Sequence, residues 1–124
     1  MSNSKTRHYL FAVIFTLFCL LSPGLTYADP PQDVTLTYNS ETQSLTVTVT
    51  HKTTFAGFHY VKQLEIRKNG EAVKTSNFKS QPDKPAFTQT YAIPAIPGDK
   101  FEVNAICNLQ GNKTATLLVS ETQN

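Results

Sequence analysis

Polar–apolar alternation at a spacing of two, restarted after each turn signal, is the feature that most limits what this chain can fold into. Val34, Leu36 and Tyr38 alternate with Thr35 and Thr37. Leu45, Val47, Val49 and His51 alternate with Thr46, Thr48 and Thr50. A period of two belongs to a strand with one buried face, and β-branched threonines suit the wet face. Turn-forming residues return about every ten residues, the rhythm of an all-β sandwich.

The later segments keep that rhythm. A third strand runs from His59 to about Lys68, with Leu64 and Ile66 in one phase and Val61 out of it, which predicts a bulge near Lys62 or Gln63. Asn69-Gly70 predicts a tight hairpin turn into a fourth strand, Glu71 to about Phe78. Ser80 to Pro85 is a polar connection, and Phe87, Gln89, Tyr91 and Ile93 mark the fifth strand. Pro94 to Asp99 is a corner before Phe101–Cys107, and Asn108 to Asn112 turns into a last strand with Ala115, Leu117 and Val119 inward. Ser120 to Asn124 reads as a tail. The expected fold is an immunoglobulin-like antiparallel β-sandwich of about seven strands.

Residues 1–28 read as a signal peptide. Lys5 and Arg7 precede an apolar run from Leu10 to Leu21 interrupted only by Thr16. Ser22-Pro23-Gly24 breaks the helix and Thr26-Tyr27-Ala28 offers a small-residue cut site. The run is shorter than the about 20 residues that span a membrane. Phe18 before Cys19 lacks the small residue that bacterial lipidation needs. The expectation is an exported protein, periplasmic or secreted, with one domain over residues 29–124. Of eleven Lys plus Arg, Lys5 and Arg7 lie in the leader, leaving nine against nine Asp plus Glu. A neutral domain argues against a nucleic-acid or anionic-membrane partner.

Outside the leader the chain has a single cysteine, Cys107, and two histidines, His51 and His59. A single thiol in an exported domain cannot close an internal disulfide. In the sandwich topology the end of the second strand, the start of the third and the end of the sixth meet at one pole. His51, His59 and Cys107 stand at those three places. Imidazole and thiolate together suit iron, zinc or copper, with coordination positions left open. Each residue also has an ordinary reading: a strand cysteine as a small buried hydrophobe, a strand-end histidine as a surface group. Phe55, Phe58 and Tyr60, in the loop from the second strand to the third, read as a lid packed over the pole, or as a recognition surface. No one turn carries paired carboxylates, no glycine-rich phosphate loop is present, and a cysteine-protease reading lacks a helix N-terminus beside the thiol.

The pattern His51…His59-Tyr60-Val61-x-x-Leu64-Glu65-Ile66 with Cys107-Asn108-x-x-Gly111 resembles the iron-binding domain of superoxide reductases, the desulfoferrodoxin and neelaredoxin family. Supporting stretches are Pro31-x-Asp33-Val34-Thr35-Leu36, Asn69-Gly70, Gly98-Asp99-x-Phe101-Glu102-Val103 and Lys113-Thr114-Ala115-Thr116-Leu117, so the resemblance spans about residues 31–119. It implies non-haem iron on histidines with an axial thiolate, reducing superoxide with electrons from an external donor. Carried over, His51, His59 and Cys107 are the metal ligands. The family's motif has a histidine where this chain has Gln110, and the family's upstream histidine has no counterpart between Asp29 and Val34. The implied site is therefore reduced, with Gln110 nearby. The rival expectation is a metal-free immunoglobulin-like interaction module with a vestigial site. A homo-oligomer, paired through an edge strand or through Cys107, is a further expectation.

Overall fold

A computed structural model describes residues 4–20 and 29–121. The expected cut segment, 21–28, and the last residues of the tail, 122–124, lie outside the described residues. Helix α1 (Ser4–Leu20) covers most of the apolar run that starts at Leu10. No helix among the described residues is long and apolar enough to cross a membrane.

Seven strands follow: β1 (Asp33–Asn39), β2 (Ser44–Thr50), β3 (Val61–Lys68), β4 (Glu71–Asn77), β5 (Ala86–Ala92), β6 (Lys100–Cys107) and β7 (Asn112–Leu118). They form two antiparallel sheets in the orders β1-β2-β5 and β4-β3-β6-β7. The chain is thus the expected all-β sandwich. The β4 strand joins the sheet of β3 because Asn69 and Gly70, both at positive φ (52° and 85°), make a two-residue turn whose twist holds the strands together.

The alternation does what its period requires. Leu45, Val47 and Val49 are fully buried while the threonines between them face outward. On that outer face Thr48 meets Thr88 at 3.0 Å across β2 and β5. The opposite sheet supplies Leu64, Ile66, Phe101, Val103 and Ala105 to the same core. Among the described residues every member of this core lies between Val34 and Val119, and helix α1 contributes none of it.

The bulge predicted near Lys62 is present. Val61 pairs with Cys107 and Gln63 with Ile106, leaving Lys62 as the extra residue. The extra residue turns Val61 inward, fully buried beside Leu64, and thereby re-aims the backbone just ahead of β3.

At the other pole Asp99 ties a corner to the hairpin. Its carboxylate accepts from the Ile96 N–H at 2.9 Å and the Asn69 side-chain amide at 2.8 Å. These bonds, the Ile96 one foremost, hold the carboxyl below its ordinary pKa, with Lys68 adding a weaker pull. A lowered native pKa contributes stability that is complete above the ordinary carboxylate value and fades as pH falls through the native one. Asp99→Asn should therefore lower the urea midpoint at neutral pH and lose that deficit as the pH drops below about 4.

Candidate metal centre

Three strand ends deliver three side chains to one point. His51 follows the last residue of β2, fully buried, and its N–H bonds to the Pro85 carbonyl at 2.9 Å just ahead of β5. His59 leaves a tight turn in which the Phe55 carbonyl accepts from the N–H groups of Phe58 and His59, at 2.9 and 2.7 Å. Cys107 ends β6, 4% exposed and opposite Val61. Asn108 locks the second and third of these together. Its N–H donates to the Tyr60 carbonyl (3.0 Å), its Oδ1 accepts from the Tyr60 N–H (2.9 Å), and its Nδ2 donates to the Phe58 carbonyl (2.8 Å).

The result is a compact donor cluster. His59 Nε2 lies 3.1 Å from His51 Nε2 and 3.1 Å from Cys107 Sγ, with one donor atom from each residue inside a 4.8 Å span. The imidazole planes stand at 85° to one another. Ligand atoms at about 2.0–2.3 Å from a shared metal ion sit about 3–3.5 Å apart when adjacent, so these separations fit one ion.

Gln81 decides which nitrogen of His51 faces the cluster. The Gln81 Nε2 donates to the His51 carbonyl at 2.8 Å, which turns Oε1 toward the Val61 N–H (3.2 Å) and His51 Nδ1 (2.7 Å). Oε1 only accepts, so neutral His51 carries its proton on Nδ1 and presents a bare lone pair at Nε2. That is the arrangement in which a metal-binding histidine is oriented by an outer hydrogen bond.

Other features suit a cation at this point. Burial first, and then the neighbouring His51, hold His59 below the ordinary imidazole pKa, against the opposing pull of Asp29. A neutral ring keeps its lone pair for ligation. The Leu109 N–H donates toward Cys107 Sγ at 3.4 Å. The Asp29 carbonyl oxygen stands 3.1 Å from both His51 Nε2 and His59 Nε2.

Measured against known proteins, this chain matches no family model, no curated protein and no solved structure. The site therefore rests on its own geometry.

All three sequence-derived ligands meet, but two neighbouring expectations change. Gln110 is exposed and its side chain makes no hydrogen bond to the cluster; the amides that serve it are Asn108 and Gln81. Phe55 and Phe58 do not form a packed lid, since each is 69% exposed. The turn between them spends its backbone on aiming His59, which leaves both rings pointing outward. Sequence reasoning missed Gln81 and the Asp29 carbonyl. Gln81 sits in a segment whose proline-bearing polarity reads as surface loop, and a backbone oxygen carries no residue-type signal.

Gly111 shapes the cluster from outside. At φ +76° its Cα lies so close to Pro30 that an added Cβ would fall 2.6 Å from the proline Cβ. Gly111→Ala should cost about 1–3 kcal/mol in urea unfolding, and should displace Pro30 and the adjoining Asp29 carbonyl.

Proposed function

We propose that this is an exported metalloprotein that holds iron at His51, His59 and Cys107 and reduces superoxide. The observation that carries the metal reading is the Gln81 contact, which commits His51 Nε2 as a lone pair beside His59 Nε2 and Cys107 Sγ. Iron and superoxide come from the resemblance to superoxide reductase domains, and export from the leader pattern.

Bound iron would supply one-electron redox chemistry. Each superoxide would take up one electron and two protons to give hydrogen peroxide, with the electron arriving from a separate donor protein. The chain's own groups set the conditions. Cys107, nearly sealed from water, would hold the iron through its sulfur, which as a ligand would push electron density toward the metal, as in thiolate-ligated haem. Buried His51 is fixed by Gln81, and half-buried His59 is the ligand on the solvent side, where a small anion can approach.

The test is the yield of hydrogen peroxide from enzymatically generated superoxide, with iron-loaded protein and excess reductant. Reduction gives twice the peroxide that dismutation of the same superoxide yields. A dismutation-level yield, or no acceleration, would remove the superoxide reading.

A second reading is favoured by exposed Phe55, Phe58 and Leu109 at the same pole. They would make the chain a metal-free binding module, and such a protein would keep its partner affinity when His59 and Cys107 are replaced.

A further inference from the structure

The donor cluster contains more lone pairs than hydrogens to satisfy them. Gln81 keeps the His51 proton on Nδ1, so the neutral ring points a bare Nε2 inward. The Asp29 carbonyl oxygen, also only an acceptor, lies 3.1 Å from that nitrogen. Of the two imidazoles in their neutral forms, only His59 can aim a ring hydrogen into the cluster. The Cys107 S–H has its own acceptor in Asn108 Oδ1 at 3.9 Å, so the His59 hydrogen faces three acceptors: His51 Nε2, the Asp29 oxygen and Cys107 Sγ. Two acceptors held this close favour a shared cation between them.

Asp29 is held there by its surroundings. Pro30 seats against Gly111, where a side chain would not fit. The Gln32 N–H donates to the Thr50 carbonyl at 2.8 Å, and the Gln32 Oε1 accepts from the Lys52 N–H at 2.8 Å. The segment is thus pinned beside His51 on both sides. Asp29 is also the residue that becomes the new N-terminus if the leader is cut after Ala28.

We propose that the main chain of Asp29 completes the metal site: its carbonyl oxygen is a ligand, and cutting the chain after Ala28 frees an α-amine that closes a five-membered chelate with that oxygen. The inference rests on the metal reading above and deepens it. Before the cut, the Asp29 nitrogen is an amide whose lone pair is delocalised into the peptide bond. After the cut it is an amine, separated from the carbonyl oxygen by the Cα–C unit alone, so rotation about that bond aims both atoms at one ion. The donor set then rises from two imidazoles and a thiolate to include an oxygen and a nitrogen from the backbone. Leader removal becomes the step that finishes the centre, which would delay full metal affinity until after export.

The experiment uses cobalt(II), whose absorption reports both thiolate ligation and coordination number. Three forms are titrated in competition with a chelator: chains beginning at Ala28, at Asp29 and at Pro31. The sandwich core lies wholly within Val34–Val119, so each form retains it, and urea midpoints check folding. The expected order of affinity is Asp29 first, Ala28 second and Pro31 last, with about a tenfold or larger loss at each step. Cobalt spectra should also differ between the Asp29 and Ala28 forms. Equal affinity and spectra for those two forms overturn the amine ligand. Equal affinity for all three overturns Asp29 altogether, while loss of binding in Cys107→Ala would show that the underlying site stands. Absence of binding in every form overturns the metal reading itself. Should the Pro31 form not fold, the Ala28 and Asp29 pair still decides on the amine.

Discussion

Cys107→Ser should abolish any thiolate-to-metal absorption and lower affinity for added iron by at least about 100-fold, while the sandwich stays folded. The magnitude follows from the position of the residue. Changes to groups that merely orient a ligand already cost about 10- to 100-fold, and serine removes the ligand itself, since its hydroxyl does not ionise at neutral pH. The substitution is nearly isosteric, so the buried strand end where Cys107 faces Val61 should survive. The measurement is anaerobic titration with ferrous iron, with absorption spectra, against a urea-unfolding control. A buried thiol that only fills space would give the opposite pattern: a shift in unfolding midpoint and an unchanged metal spectrum.

Gln81→Leu carries the second large effect, on stability and affinity together. Leucine leaves three groups without their partner: the His51 Nδ1–H, the Val61 N–H and the His51 carbonyl. Each buried polar group left unpaired costs about 1–3 kcal/mol, so a loss of about 3 kcal/mol or more is expected in urea unfolding. Metal affinity should fall about 10- to 100-fold, because the ring is no longer held with Nε2 bare. Gln81→Glu separates the two effects. It keeps an acceptor for Nδ1–H and should retain most of the affinity, but it cannot donate to the His51 carbonyl and should still lose stability. Full metal affinity in Gln81→Leu would mean that Gln81 is only a structural plug in the sandwich end.

These two predictions also mark how far the amino-acid sequence was legible. The strands were readable because Val47 and Val49 alternate with Thr46 and Thr48, and because each alternation stops at a turn. The bulge at Lys62 was readable because Val61 breaks phase with Leu64. Once seven strands were in place, the meeting of His51, His59 and Cys107 followed from topology alone, with no contact information needed. The limits have equally specific causes. Gln81 looks like any loop amide until its burial is known, and its importance comes from bonding at both ends at once. The Asp29 contact is made by a backbone oxygen, which every residue possesses. The rings of Phe55 and Phe58 face outward because hydrogen bonds to the Phe55 carbonyl set the turn, and hydrophobicity does not foretell that. The resemblance puts Gln110 near the site, at the position where the family's motif has a histidine. The chain instead turns at Gly111, whose carbonyl accepts from the Cys107 N–H at 3.0 Å, and Gln110 stays in solvent.

The most direct test of the central claim is the iron content of the chain beginning at Asp29, loaded with ferrous iron without oxygen and then freed of loose metal by gel filtration. A metal centre at His51, His59 and Cys107 predicts near-stoichiometric iron in the wild type and its loss in a folded His59→Ala variant. Folded wild-type protein that emerges free of iron would contradict it.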